Sequence, residues 1–512
     1  MMPIWSRLLL TALSVLLCLL SLPGGGLPIL ALVALVPLGL AIHGAPPLQA
    51  MGLAYGFGLA GWIAATGGLA AGLSSYVALS VWKAPVFMAG ISAYLALPYG
   101  LFGYCYGASQ WMARPRGSLK AAACLSAALT FFPSPLPVTP AHALYGFPPA
   151  IQLLALGGEP LLLFLLCLIN WMLVALALRI KRDQPLIQGL APPLALVSVI
   201  LGYGFGRVDA YHHREASGEG LHPIRIVAIQ PNIPLPTNAG IAALDTKVAL
   251  SDLYDMSRQA LNRYPGVDLL VWPEIPRDLD CASLDGIRER LSADSTAQQT
   301  AFLLNCVQPL AGAGKYNAAL FVSPLGRPSA YFKRKLFPFA EYLPGEETLP
   351  VLRTLLPGAS QYRHGTRSVV FPVNGDLSIM VAICYEILFA DPLRSFPQRG
   401  GGALINQTDD AWFGTSRITD FLIAASTFRA VELGVPVVRV SNSGNTLMIR
   451  ADGEIDGRSR SASFIRTVKA FDVLMPEDHR VPLPRLPVLA CVVALAWAVE
   501  GWKLVRSKPW SN

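Results

Sequence analysis

The sequence predicts two unlike parts in one chain: a bundle of apolar helices that crosses a membrane, then a water-facing α/β layered domain. Three observations predict this. Of 512 residues, 53% are hydrophobic and only 14% charged, with a mean hydropathy of +0.47, more apolar than ordinary soluble proteins of this size. The apolar character is uneven, because residues 1–210 are nearly free of charge whereas 215–480 reads as ordinary soluble sequence. In that second part, short Val- and Ile-rich runs alternate with helical patterns, as in layered α/β domains.

Seven apolar segments of the first part are long enough to cross a bilayer, at about 5–22, 27–43, 47–70, 84–108, 119–133, 151–178 and 186–206. An eighth lies near 486–505. The first is followed, after SLPGGGLP, directly by another apolar span, so it reads as an anchor and not as a cleaved leader. Orientation follows from the basic residues, which are retained on the cytoplasmic side. With the N-terminus inside, Arg7, the RPRGSLK loop (Arg114, Arg116, Lys120), the RIKR loop (Arg179, Lys181, Arg182) and the tail (Lys503, Arg506, Lys508) are all cytoplasmic. The opposite loops, PGGG and Pro133 to Pro149, contain no Lys or Arg. The two patterns agree, and they turn the 215–480 domain outward, into the periplasm of a cell with two membranes.

The net charge of +8 and pI near 9.1 do not point to nucleic acid, since topology-setting loops hold much of the excess and no basic run interleaved with aromatics appears. Eight cysteines are scattered, five of them in the apolar spans, with no C-x-x-C and no Cys/His spacing suited to zinc. His212 and His213 read as part of a solvated linker. Cys281 and Cys306 can pair in an oxidising compartment.

In the outer domain, strands are expected at Ile224 to Gln230, Asp268 to Glu274, Ala301 to Val307, Asn317 to Val322, Leu377 to Cys384, Gly402 to Gln407 and Pro436 to Asn442. Helical patterns lie at Ala243 to Arg263 and Arg417 to Leu433. Reactive groups tend to collect where strands end, because the strand fixes the last residue and the loop exposes it. Three such ends carry suitable side chains: Glu274 closing LLVWPE, Lys333 in YFKRKLFPFAE, and Cys384 closing IMVAIC. A cysteine is nucleophilic as its thiolate, which needs a base to take the proton and a cation to favour the anion. A glutamate and a lysine supply those roles.

WPE, K-x-x-L-x-P-F-x-E and CYE, in this order, resemble the nitrilase superfamily of carbon-nitrogen hydrolases; with membrane spans on both flanks, the chain resembles the apolipoprotein N-acyltransferase family. QPNIP (Gln230 to Pro234), DDAWFG (Asp409 to Gly414), FRAVE (Phe428 to Glu432) and RVSNSG (Arg439 to Gly444) add to the likeness. The resemblance implies a nitrilase-like α-β-β-α sandwich inserted between a seven-helix membrane bundle and one C-terminal transmembrane helix. The boundaries would be 1–210 for the membrane domain, 221–480 for the periplasmic catalytic domain and 486–506 for the last helix. It further implies Glu274 as general base, Lys333 as the cation that stabilises the oxyanion, and Cys384 as the acyl-accepting nucleophile. Lys335 is the competing lysine, but Lys333 stands eight residues before Glu341, the family's spacing. Glu341 would be a supporting carboxylate, Tyr385 and Glu386 neighbours of the nucleophile, and Trp412 a substrate-binding residue.

The implied reaction moves an acyl chain from phospholipid through a cysteine thioester to the N-terminal amine of a lipoprotein, at the bacterial inner membrane and with no metal or other cofactor. The sequence departs from the family pattern in places. Ala340 replaces the glycine of F-G-E, Asp409 stands in the place of an asparagine, Phe421 and Val435 stand where a His and an Arg are usual, and GFPP (Gly146 to Pro149) replaces GFPW. The alternative these changes suggest is a paralogue of the conjugal-transfer TraB type, with the same chemistry on a different acceptor; an inactive membrane scaffold is the third reading.

Overall fold

The computed structural model describes residues 2–477 apart from 71, 73–81, 114–115, 181–184, 235–245, 276–278, 312–313, 325–327, 357–358, 376, 395–401 and 415. The expected span at 486–505, Arg114, Lys181, Arg182 and the basic tail lie outside the described residues. The described residues divide into two compact units, one holding residues up to 66 and 89–208, the other 67–88 and 209–477.

Five described helices are long and apolar enough to cross a membrane: Ile4–Ser21, Pro47–Thr66, Lys83–Ser109, Leu154–Ile180 and Leu186–Ser217. Two of the seven expected crossings are shorter. The 27–43 segment folds as a 3-10 turn, Pro28–Leu32, and a separate helix, Val36–Ile42, each opened by a proline, whose missing N–H suits a helix start and not its interior. The 119–133 segment becomes Gly117–Phe131, 15 residues; at ~1.5 Å per residue this is roughly 22 Å, short of a hydrocarbon core of about 30 Å. Leu154–Ile180 is interrupted at Gly158, whose φ of 64° is left-handed, two residues before Pro160. Some polar side chains within this unit find internal partners, as an apolar surrounding favours, while Tyr106 Oη and Trp171 Nε1 are enclosed without one among the described residues. Buried Asn170 accepts from Leu35 N at 2.9 Å and donates to Ala31 O at 2.9 Å, tying the broken segment to Leu154–Ile180. Arg7, expected as a loop charge, is buried and donates to the carbonyls of Ala41 and His43 at the end of Val36–Ile42. Likewise, His212 and His213 lie on the helix Leu186–Ser217 and not in a linker.

The second unit is built on two sheets. The six-stranded one runs in the order β11-β1-β2-β3-β4-β5, with β1 Leu221–Gln230, β2 Leu269–Val271, β3 Ala301–Pro309, β4 Lys315–Val322, β5 Ser329–Phe332 and β11 Thr467–Pro476. The five-stranded one runs β10-β9-β8-β7-β6, with β6 Val370–Asn374, β7 Leu377–Ile383, β8 Gly402–Thr408, β9 Val437–Ser441 and β10 Leu447–Ile449. β1, β2 and β3 are parallel, as are β7, β8 and β9. Parallel neighbours need a crossover. Helices Thr246–Arg263, Asp285–Gln298 and Ile418–Leu433 provide them between β1 and β2, β2 and β3, and β8 and β9.

Thr246–Arg263 turns Leu250, Leu253, Met256 and Ala260 onto Val227, Ile229 and Leu270 of the first sheet. Ile418–Leu433 is buried over almost its whole length, which accounts for its lack of a polar face. Phe321 of β4 stacks on Phe371 of β6 at 4.9 Å, so side chains of the two sheets meet. Cys281 and Cys306 form a disulfide that fastens a 3-10 turn, Cys281–Leu284, to β3.

Candidate active site

Three of the expected residues converge between the sheets. Cys384 leaves β7 with φ 51°, a left-handed backbone for a side-chain-bearing residue, and opens the 3-10 turn Cys384–Leu388. Such strain persists where surrounding bonds over-determine it, and here two sets do. Asn406 of β8 donates to Ala382 O at 3.0 Å and Cys384 O at 3.3 Å, and is itself held by Arg439 Nη1 at 2.9 Å, whose other nitrogen pairs with Asp410. Glu386 accepts from Ile383 N at 2.9 Å, and from Arg334 N at 2.6 Å, Lys335 N at 2.9 Å and the Tyr331 hydroxyl at 2.9 Å. One buried carboxylate thus clamps the nucleophile turn to the segment that carries Lys333. Burial pushes the Glu386 carboxyl up, and the backbone donors work against that.

Lys333 is 2% exposed, and its Nζ lies 3.2 Å from Glu274 Oε1 and 2.9 Å from Glu341 Oε1. Burial alone lowers a lysine, but the charges of Glu274, Glu341 and Cys384 outweigh it and hold Lys333 well above its ordinary range, as an ammonium. Lys335, by contrast, is exposed and sets its ammonium over the Phe389 ring at 5.3 Å. Glu274 is buried in the segment after β2. Its Oε1 also accepts from Asn317 Nδ2 at 2.8 Å, and Asn317 Oδ1 in turn accepts from Asn305 at 2.9 Å. Its Oε2 accepts from the backbone N–H of Asp409 at 3.3 Å.

The buried Cys384 thiol faces Glu274, Thr408 and Lys333. Burial and the Glu274 charge drive it well above the ordinary thiol range, with Lys333 and Thr408 opposing. The resting group is therefore a neutral thiol beside a carboxylate.

Glu341 fixes the turn through Phe337 N, which donates to Oε2 at 2.6 Å. Tyr385 is buried with its ring edge-on to Phe337 and Phe389, each at 5.0 Å. Trp412, expected at the substrate, is half-buried in the 3-10 turn Asp410–Phe413 that follows β8. A Cβ at Gly72 would stand 2.0 Å from Trp412 O, so residue 72 must be glycine for its backbone to reach that turn. Of the drifted positions, Phe421 and Val435 are fully buried apolar residues, whereas Asp409 adjoins Glu274. Sequence reasoning missed Asn305, Asn317 and Asn406 as parts of the site. The signal was present: each is an asparagine beside an apolar run of a strand, and a buried amide needs partners.

Elsewhere, His212 Nε2 lies 3.3 Å from Asp452 and 3.5 Å from Glu454, a grouping with metal-ligand atoms. Arg450 already pairs with Glu454 at 3.1 Å and Glu215 at 3.5 Å, which makes the cluster a network of ion pairs.

A buried carboxylate, an ammonium and a thiol on a left-handed turn are thus gathered in one place. Residues 225–463 match the carbon-nitrogen hydrolase family, and they follow a region of several apolar helices. More particularly, the chain is similar along most of its length to proteins named apolipoprotein N-acyltransferase. The one from Geobacter metallireducens is 29% identical over 494 residues, 88% of this chain and 86% of the relative. The one from Azotobacter vinelandii is 28% identical over 501 residues, 94% and 91% of the two chains. Among solved structures, an amidase from Nesterenkonia is 17% identical, with 51% of this chain and 92% of the amidase covered at a TM-score of 0.35.

Proposed function

We propose that this chain is a membrane-bound N-acyltransferase that moves an acyl chain from phospholipid, through a thioester on Cys384, to the N-terminal amine of a lipoprotein. The observation that carries the reading is the buried Cys384 thiol on its left-handed turn, facing Glu274 and Lys333, whose ammonium lies 3.2 Å from that carboxylate. The name shared by the homologues supplies the acceptor class.

Glu274 takes the Sγ proton as the sulfur attacks the ester carbonyl carbon. Lys333 stabilises the charge that develops on the carbonyl oxygen. The adduct collapses, the ester C–O bond breaks, and the lysophospholipid oxygen leaves with the proton from Glu274. In the second half the acceptor amine attacks the thioester, Glu274 takes its proton, and the departing sulfur recovers it. Glu341 and Asn317 hold Lys333 and Glu274 in register, Glu386 and Tyr385 set the nucleophile turn, and Trp412 lines the acyl or acceptor path.

We assign 1–210 to a membrane domain of about seven spans, 221–480 to the catalytic domain and 486–506 to a last span, with the catalytic domain in the periplasm. The Cys281–Cys306 disulfide supports an oxidising compartment.

The test is intact mass spectrometry of the full chain in phospholipid nanodiscs. An acyl adduct is expected in the wild type and in Cys281→Ala and Cys306→Ala, and none in Cys384→Ala. Transfer to a diacylglyceryl lipopeptide, and rescue of a strain depleted of its own enzyme, then separate the acceptors. The name shared by relatives that align along most of the chain favours the lipoprotein over the TraB-type alternative, so full rescue is expected. An adduct without transfer would favour the paralogue, and no adduct at all the scaffold.

A further inference from the structure

Asp409 follows β8 with its side chain fully buried. Its two oxygens are unlike. Oδ1 accepts from Ala411 N at 3.1 Å and from Asn442 Nδ2 at 3.1 Å, while Oδ2 is enclosed and has no hydrogen-bond partner among the described residues. Its own backbone N–H donates to Oε2 of Glu274. The charges that face it are Glu274, from the segment after β2, and Asp410, its neighbour; Arg439 of β9 is engaged by Asp410 and Asn406. Asn442, from the end of β9, contributes only a neutral amide, which is also bonded to Ile233 O at 2.8 Å. An anion here would have one oxygen bare and a carboxylate for a neighbour. Two buried carboxylates at one site do not both ionise readily, and an unpaired buried charge costs far more than an unpaired hydroxyl.

We propose that Asp409 works as a neutral carboxylic acid, a positioning residue that holds Glu274 as the base while keeping a second negative charge away from the Cys384 thiol. The proton sits on Oδ2, the oxygen that no donor reaches. Oδ1 then takes the two bonds that an amide carbonyl would take, so the side chain has the hydrogen-bonding shape of asparagine. Burial first, and the Glu274 charge after it, raise the carboxyl well above its ordinary range, against the Asn442 bond. The proposal rests on Glu274 as the base, and its role is exerted through Glu274 and not on substrate.

The experiment compares wild type, Asp409→Asn and Asp409→Ala as full chains in nanodiscs at neutral pH. Infrared difference spectra of wild type against Asp409→Asn read the carboxylic-acid C=O stretch, a signal that no merely structural role moves and that does not depend on acyl transfer. The expected result is an acid band present in the wild type and absent from Asp409→Asn, with thioester formation kept in Asp409→Asn and lowered by about 10²-fold in Asp409→Ala, where Glu274 loses its register. A carboxylate band in place of the acid band, or loss of thioester formation in Asp409→Asn as deep as in Asp409→Ala, overturns it. An acid band in a protein that never forms a thioester leaves the proposed protonation standing and removes the acyl-transfer reading instead.

Discussion

At Cys384 two opposing influences meet in one thiol, and they can be separated by substitution. Glu274 raises the thiol by its charge, whereas Lys333 lowers it. Glu274→Gln therefore frees the proton at lower pH, so alkylation of Cys384 by iodoacetamide at fixed pH should become faster while acyl-enzyme formation collapses. Lys333→Met works the other way and should slow alkylation. Below the pKa, each pKa unit changes the thiolate fraction about tenfold, so both effects are readable by intact mass. Wild-type alkylation should climb as pH rises, because a raised pKa keeps the thiol protonated at neutrality; a fast, pH-independent rate would contradict the neutral resting thiol. Acyl-enzyme formation should also distinguish the lysines. Lys333→Ala should lose about 10²- to 10³-fold, as for a missing oxyanion partner, and Lys335→Ala little, since that side chain is exposed against Phe389.

Among secondary elements, legibility tracked burial. β3, β7, β8 and β9 are continuous apolar runs, buried along most or all of their length, and the sequence marks them plainly. β5, β6 and β10 are short, and β11 is half-exposed at the edge of its sheet, so their patterns are weak. Helix Asp285–Gln298 passed unread because its apolar positions are few, with Ile287 and Leu291 among mostly polar neighbours. The same region carries the Cys281–Cys306 bond, which closes a loop of 25 residues. The sequence allows that pairing, but only the fold brings the 3-10 turn against β3. Reduction, or Cys281→Ser with Cys306→Ser, should cost about 2–4 kcal/mol through the freedom restored to the unfolded loop. Thermal unfolding should show a lower midpoint for the double variant and no further effect of reductant on it, with the acyl adduct retained. A reductant-insensitive wild type would argue against the bond.

For the molecule as a whole, the break in composition near residue 210 was the most legible feature, because hydropathy integrates over many residues and tolerates local error. Span lengths were less so. Proline at Pro28 and Pro37, and the left-handed Gly158, interrupt segments whose average hydropathy says nothing of backbone continuity. Orientation depends on neither length nor break, only on how many times the chain crosses and where Lys and Arg are retained. Arg114 and Arg116 fall between one pair of apolar segments, with Lys120 at the start of the second, and Arg179, Lys181 and Arg182 fall between another pair, while 133–149 holds no Lys or Arg. An even distribution of basic residues would have left the sense undetermined. The buried Arg7 weakens one contribution, since a side chain bonded to the Ala41 and His43 carbonyls is no longer a free loop charge, but the later loops agree without it. A reporter active only outside the cytoplasm should be active when fused after His222 and silent when fused after Arg182. The reverse pattern would put Cys384 in a reducing compartment, on the side away from exported lipoproteins, and would remove that acceptor class while leaving the thioester chemistry of Glu274, Lys333 and Cys384 untouched.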